Sequence, residues 1–266
     1  MAPGDERPTR KEMREQARAE RLAVQRAAEA AAAQRKRLYM LGGAVLIVVA
    51  ILAVVIVIAS SNNNHALQKG KAANATVSQV SSLLAGVPQN GNTLGDPSAP
   101  VLVEYFGDLE CPVCKAFTSG TLPQVIQDEV RTDQVKIEYR SLETATQDPT
   151  IFTTQQTAAE AAGAQNKLWD FVELFYHEQG EEDSGYVTET YLRGLASQVP
   201  GLNFSTWLSD RQQSKYSNIV VQDQQVANAQ GFGSTPTFVI QGPKGTKSLV
   251  GDYPYSDFSS AVNSVA

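Results

Sequence analysis

Val101-Leu102-Val103-Glu104-Tyr105-Phe106-Gly107-Asp108-Leu109-Glu110-Cys111-Pro112-Val113-Cys114 holds both cysteines of the chain. Apart from Glu104, its first six residues are aliphatic or aromatic, the composition of a buried strand. Beyond it, Lys115-Ala116-Phe117 and then Val125, Ile126 and Val130 recur at helical spacings. The cysteine pair therefore falls where a strand hands over to a helix. The first turn of a helix carries free N–H groups and the positive end of the dipole, so a thiolate on Cys111 is favoured there. Pro112 suits that turn because its missing N–H would have had no partner. Cys114, one turn further in, can close a disulfide with Cys111 and is expected to be the more buried. One exposed sulfur of low pKa beside one resolving sulfur is the arrangement of a dithiol that cycles.

Blander uses of the pair are weaker. Zinc needs four ligands, and the chain has no second cysteine pair; His65 and His177, its only histidines, stand at no ligand spacing. A structural disulfide closing so small a loop would restrict the unfolded chain little. No metal and no organic cofactor is expected, the redox-active disulfide Cys111–Cys114 supplying the chemistry.

The 266 residues, 42% of them hydrophobic, allow one ordinary domain with appendages. The net charge of -6 is unevenly spread: residues 1–37 hold ten basic and six acidic side chains, leaving the remainder at -10. An acidic domain behind a basic tail argues against nucleic-acid binding. Residues 1–37, rich in Ala, Arg, Glu and Gln and without an aromatic, have too few apolar side chains for a core. They are expected to be a solvated, basic cytoplasmic tail. Residues 38–59 carry no charge; as a helix they reach about 33 Å, enough to cross the hydrocarbon of a bilayer. A cleaved signal peptide would have an apolar region of roughly 7–15 residues. Arg35-Lys36-Arg37 before the run and Ser60-Ser61-Asn62-Asn63-Asn64 after it place the basic flank in the cytoplasm and the acidic domain outside. The expectation is a single-pass transmembrane helix, followed by an extracytoplasmic linker over 60–87 in which Val77, Val80, Leu83 and Leu84 mark a short amphipathic helix.

Pro88, Gly91, Gly95, Pro97 and Pro100 then make a turn-rich approach, with Thr93-Leu94-Gly95 a short edge strand. After the redox helix, which Pro123 bends or restarts, Val135–Arg140 alternates as a half-buried strand. From about 150 to 230 the pattern is helical, its aromatics read as core. Thr237-Phe238-Val239-Ile240, a turn at Gly242–Gly245 and Ser248-Leu249-Val250 form a hairpin, and Phe258, Val262 and Val265 mark a last helix. A parallel βαβ unit followed by an antiparallel hairpin gives an α/β fold with a mixed central sheet.

Phe106–Cys114 resembles the active-site stretch of the membrane-anchored DsbA-like thiol–disulfide oxidoreductases of the thioredoxin superfamily. Ser234-Thr235-Pro236-Thr237-Phe238 resembles their cis-proline loop, and the helical block resembles their inserted helical domain. The likeness covers roughly residues 88–266 and implies a thioredoxin fold with a helical insertion. It implies that Thr235–Pro236 is cis and lies against the cysteines, with Pro112, Val113, Thr235 and Pro236 meeting substrate. It also implies a buried acidic residue on the strand before the cysteines. Glu104 is the candidate proton shuttle, although it stands seven residues before Cys111, and a bulge near Phe106-Gly107 would be needed to absorb the extra residue.

The function implied is an oxidase that passes its disulfide to exported protein thiols. Cys111 forms the mixed disulfide, Cys114 is the resolving thiol, and a membrane quinone-linked partner, DsbB-like or VKOR-like, reoxidises the pair. The location is the plasma membrane of a bacterium, catalytic domain outside. A reductase or isomerase of the cell envelope uses the same residues in the reduced state. A non-catalytic envelope adaptor would merely keep the fold; trapping by a Cys114 variant separates it from an enzyme.

Overall fold

The computed structural model describes residues 65–266. The expected tail (1–37) and transmembrane helix (38–59), with the first linker residues, lie outside the described residues. Among the described residues no helix is long and apolar enough to cross a membrane.

The described residues begin with helix α1 (Lys71–Leu84), followed by the short strands β1 (Gln89–Asn90) and β2 (Thr93–Leu94). Then come β3 (Val101–Gly107), α2 (Pro112–Gly120), α3 (Leu122–Val125) continuing as a π-helical turn (Ile126–Val130), and β4 (Val135–Ser141). Five helices follow: α4 (Pro149–Gly163), α5 (Leu168–His177), α6 (Glu189–Gln198), α7 (Phe204–Asp210) and α8 (Ser214–Ala229). The chain closes with β5 (Thr237–Gly242), β6 (Gly245–Val250) and α9 (Tyr255–Val265). The sheet order is β1-β2-β4-β3-β5-β6. β3 and β4 are parallel, and the other pairs are antiparallel.

Residue type explains most of these elements. β4 alternates buried and half-buried positions along its whole length, the period of a strand with two unlike faces. β3 is buried at nearly every position because helices cover both its sides. Val101, Val103 and Tyr105 join the main core with Phe117, Phe238 and Phe258. Phe106 faces the other way, packing with Leu142, Ala227 and Val239. α4 starts where the helical pattern begins, near residue 150: Asp148 caps it by accepting from the N–H groups of Thr150 and Ile151, with Pro149 in the first turn.

Two expectations change. Thr93–Leu94 is not an edge strand: β1 pairs with it on the outside and β4 on the inside. Its turn depends on Gly95 at φ +107°, where a Cβ would meet the Val135 carbonyl oxygen at 2.9 Å. The linker over 60–87 is, from residue 65 on, part of the domain. Val80 and Leu84 of α1 are buried in the main core. Arg131 donates to the carbonyls of Leu83 at 2.8 Å and Ala85 at 2.9 Å, satisfying groups that the helix end leaves open.

Candidate active site

Cys111 is the N-cap of α2, with φ -70° and ψ 120°, and Pro112 occupies the first turn. Its sulfur accepts a hydrogen bond from the Cys114 N–H at 3.4 Å, so the helix's free donor meets the sulfur that was expected to take a charge. Both thiols are free. Cys114 is 0% exposed and Cys111 only 5%, while Val113 between them stands 40% exposed. Cys111 is thus more covered than expected. The Thr235–Pro236 peptide is cis, and the Cys111 thiol reaches the Thr235 carbonyl oxygen at 3.4 Å.

The environment drives the two sulfurs apart. Cys111 is lowered to about 6: the Cys114 thiol bonding to its sulfur does most, the Thr235 side chain and the N–H groups of Cys114 and Val113 add to it, and burial opposes. The helix terminus therefore contributes, but less than the neighbouring thiol. Cys114 is held well above the ordinary thiol range by burial, reinforced by the Cys111 sulfur.

The loop around the pair is wired by residues that sequence reasoning passed over. Asp108 is fully buried and accepts from the N–H groups of Glu110 at 3.1 Å, Thr144 at 3.0 Å, Ala145 at 2.9 Å and Thr146 at 2.9 Å. The Thr146 hydroxyl donates to it as well, at 2.6 Å. One carboxylate thereby ties the turn before Cys111 to the loop after β4, whose Thr144 shares a hydrogen bond with the Thr235 hydroxyl. Gln179 donates to the carbonyls of Leu109 at 2.7 Å and Cys111 at 3.1 Å. Lys115 of α2 in turn donates to the Gln179 carbonyl at 3.2 Å. Burial raises the carboxyl of Glu110, next to Cys111 in sequence, to about 7.

Glu104 does not take the place expected of it. β3 runs in unbroken register with β4 from Val101 to Gly107, so no bulge absorbs the extra residue. Strand alternation then points Tyr105, six residues before Cys111, at the cysteine side and Glu104 away from it. Glu104 forms an ion pair with Arg140 at 2.8 Å and accepts from Gln241 at 2.9 Å. Arg140 also reaches Glu138 at 3.0 Å and Asp223 of α8 at 2.9 Å. Glu104 is a structural carboxylate on the far face, turned away from the cysteines and so not placed to shuttle their protons. Around Cys114 stand three buried tyrosines instead, Tyr105, Tyr139 and Tyr176. Gly107 makes room for them, since a Cβ there would meet the Tyr139 ring at 2.9 Å and the Tyr176 hydroxyl at 3.2 Å.

Among the described residues no group of three or more His, Cys, Asp or Glu side chains is placed to hold a metal ion. The dithiol, its cis-proline neighbour and the exposed Pro112-Val113 are the chemistry-bearing parts.

Known proteins resemble this chain in sequence and in fold. A thioredoxin family model matches residues 88–262, more than half of the chain. Disulfide bond formation protein D of Bacillus subtilis (strain 168) is 25% identical over 176 residues, 63% of this chain and 76% of that protein. Oxidised BdbD from Bacillus subtilis has a similar structure, with a TM-score of 0.57 at 22% identity over 66% of this chain and 95% of that one. DsbA2 of Pseudomonas aeruginosa gives 0.55 at 22% identity, over 68% and 97%. Family match and shared fold together place it: the chain belongs to the thioredoxin family, as a DsbA-like thiol–disulfide oxidoreductase.

Proposed function

We propose that this oxidoreductase is an oxidase that introduces disulfides into exported proteins through Cys111 and Cys114. The observation that carries it is the split between the sulfurs, Cys111 lowered to about 6 and Cys114 buried and raised. Starting from the disulfide, a substrate thiolate attacks Cys111 Sγ. The Cys111–Cys114 bond breaks, and its electron pair leaves on Cys114, which takes up a proton. A second substrate thiolate then attacks the substrate sulfur of the mixed disulfide and expels Cys111 as a thiolate. A low pKa makes Cys111 a good leaving group in that step. Two substrate thiols lose two electrons, and the enzyme disulfide becomes a dithiol.

The exposed Pro112 and Val113, with the cis Thr235–Pro236 loop beside Cys111, offer an extended peptide an apolar contact and a backbone edge. No cofactor beyond the disulfide enters this chemistry. The electrons pass on to a membrane quinone-linked protein, DsbB-like or VKOR-like. Residues 38–59 hold the domain to the outer side of a bacterial plasma membrane, their basic flank inside. Protease added outside spheroplasts should then degrade the domain; a protected domain with a cleaved tail reverses the orientation.

Direction is tested by mixing the full-length oxidised protein with a reduced, unfolded secreted protein in the absence of other oxidants. The substrate should gain disulfides while Cys111 and Cys114 become free. If the dithiol form instead strips disulfides from the oxidised substrate and the reverse transfer fails, the protein is a reductase.

A further inference from the structure

Hydrogen bonds close a ring around Cys111. Its N–H donates to the Asp108 carbonyl at 3.0 Å. The Asp108 carboxylate accepts from the N–H groups of Thr144, Ala145 and Thr146 on Oδ2, and from the Glu110 N–H and the Thr146 hydroxyl on Oδ1. The Thr144 hydroxyl shares a hydrogen bond with the Thr235 hydroxyl, and the Thr235 carbonyl accepts from the Cys111 thiol at 3.4 Å. The sulfur and the peptide edge beside it are thereby tied to one fully buried carboxylate. Five donors on two oxygens leave Asp108 no lone pair with which to take a thiol proton, so its part is not acid–base chemistry.

We propose that Asp108 is a positioning residue for substrate: acting through Thr144, it sets the Thr235 backbone edge at the distance from Cys111 Sγ that a peptide cysteine needs. The other ties in this region do not do so. Pro236 is held from the far side by the Gly251 N–H at 2.8 Å, and the Thr237 hydroxyl closes locally on the Ser234 carbonyl at 2.7 Å. Pairing of β5 with β3 begins only at Thr237, two residues after Thr235. In the loop after β4, the Leu142 N–H goes to the Gly107 carbonyl at 3.0 Å and the Glu143 N–H to Gln224 at 2.9 Å, while the Thr146 hydroxyl accepts from Gln155 at 2.7 Å. The N–H groups of Thr144 and Ala145 go to Asp108, so the place of the Thr144 hydroxyl is set there.

The assignment rests on the dithiol chemistry proposed above and concerns its first step. A substrate thiolate attacks Cys111 Sγ of the enzyme disulfide. The new S–S bond forms as the Cys111–Cys114 bond breaks, and the electron pair leaves on Cys114, which takes up a proton. Attack needs the incoming sulfur in line with the breaking bond. A peptide lying on the Thr235 edge has that line set for it, whereas a small thiol without a peptide backbone finds its own. Misplacing a bound reactant by about 1 Å costs roughly 100-fold in rate.

The test compares two reductants of the full-length oxidised protein, a reduced two-cysteine peptide and dithiothreitol, with acid quench and alkylation to follow the thiols. Asp108→Asn keeps the size of the side chain and puts an NH2 where an oxygen now accepts. It should slow the peptide by about 10- to 100-fold and dithiothreitol far less. Thr144→Val should slow the peptide by about 3- to 10-fold, the scale of one neutral hydrogen bond, and Thr144→Ser, which keeps the hydroxyl, should restore most of that loss. The double variant Asp108→Asn with Thr144→Val should fall no further than Asp108→Asn alone, because both cut one link. Equal losses with both reductants, a peptide rate at the wild-type level, or additive losses in the double variant would overturn the proposal. Should Asp108→Asn not fold, the Thr144 variants decide: no peptide-selective loss in Thr144→Val, or the same loss in Thr144→Ser, overturns it. A wild-type protein that only runs in reverse, reducing an oxidised peptide, sinks the oxidase reading, and the peptide-to-dithiothreitol ratio is then read in that direction with the same expected outcomes. A wild-type protein that exchanges with neither reagent loses the thiol–disulfide function and the positioning role together.

Discussion

In cells making the full-length Cys114→Ala protein, covalent complexes with substrate proteins accumulate on Cys111 and persist. The resolving attack is intramolecular, with Cys114 N–H 3.4 Å from the Cys111 sulfur and its thiol bonded to the same atom. Well-oriented intramolecular reactions have a large advantage over free thiols, so complexes whose substrate has no second thiol within reach should live roughly 10³-fold longer or more. Non-reducing electrophoresis with mass spectrometry of the bands reads the outcome. Cys111→Ala should capture nothing, because Cys114 is fully buried. Complexes on Cys114, or none in either variant, contradict the assignment of roles.

The second large effect is on stability. Cys111 is lowered to about 6 in the folded dithiol, against about 8.5 in an unfolded chain. A depressed pKa contributes stability that is fully present above the unfolded value and is lost as pH falls through the folded one. The window is therefore about pH 6 to 8.5, and at about 1.4 kcal/mol per unit the dithiol form should gain roughly 3 kcal/mol across it. The disulfide form has no such group. Cys114, raised rather than lowered, acts with the opposite sign, and only above about 8.5. Glu110, Glu160 and Glu173, raised by burial to about 7, 8 and 8, erode stability as pH rises. They do so in both redox forms, so the dithiol-minus-disulfide difference isolates Cys111. Denaturant melts of both forms from pH 5.5 to 8.5 should show that difference growing in favour of the dithiol. At pH 7 about 1.4 kcal/mol of it is in place, equivalent to about 30 mV toward an oxidising couple. Parallel curves would mean that Cys111 is an ordinary thiol.

The sheet and the dithiol were legible in the chain because their signals are local. Alternation in Val135–Arg140 and the apolar run Val101–Phe106 mark β4 and β3, and Cys111 and Cys114 announce themselves by spacing. What stayed hidden depends on distance or on register. Glu104 attracts attention as the charged residue in a buried strand, yet only the unbroken pairing of β3 with β4 shows that Tyr105 faces the cysteines. Counting six back from Cys111, in phase with Val101 and Val103, would have pointed to it. Gln179 and Asp108 left no such trace: the Gln179 side chain meets partners 68 to 70 residues away, and every side-chain partner of Asp108 except the Glu110 N–H lies 36 to 38 residues away. The docking of α1 was equally hidden, resting in part on Arg131, 46 to 48 residues on from the carbonyls it meets.

The central claim is that in the dithiol Cys111 is the ionised, reactive sulfur at neutral pH and Cys114 the protected one. Alkylation of the reduced full-length protein with iodoacetamide as a function of pH, with peptide mapping of the adducts, tests it most directly. Reaction should occur at Cys111 and titrate with a midpoint near about 6, with Cys114 unlabelled until the protein is unfolded. A midpoint near about 8.5, the value of an unperturbed thiol, or first labelling at Cys114, would contradict the account.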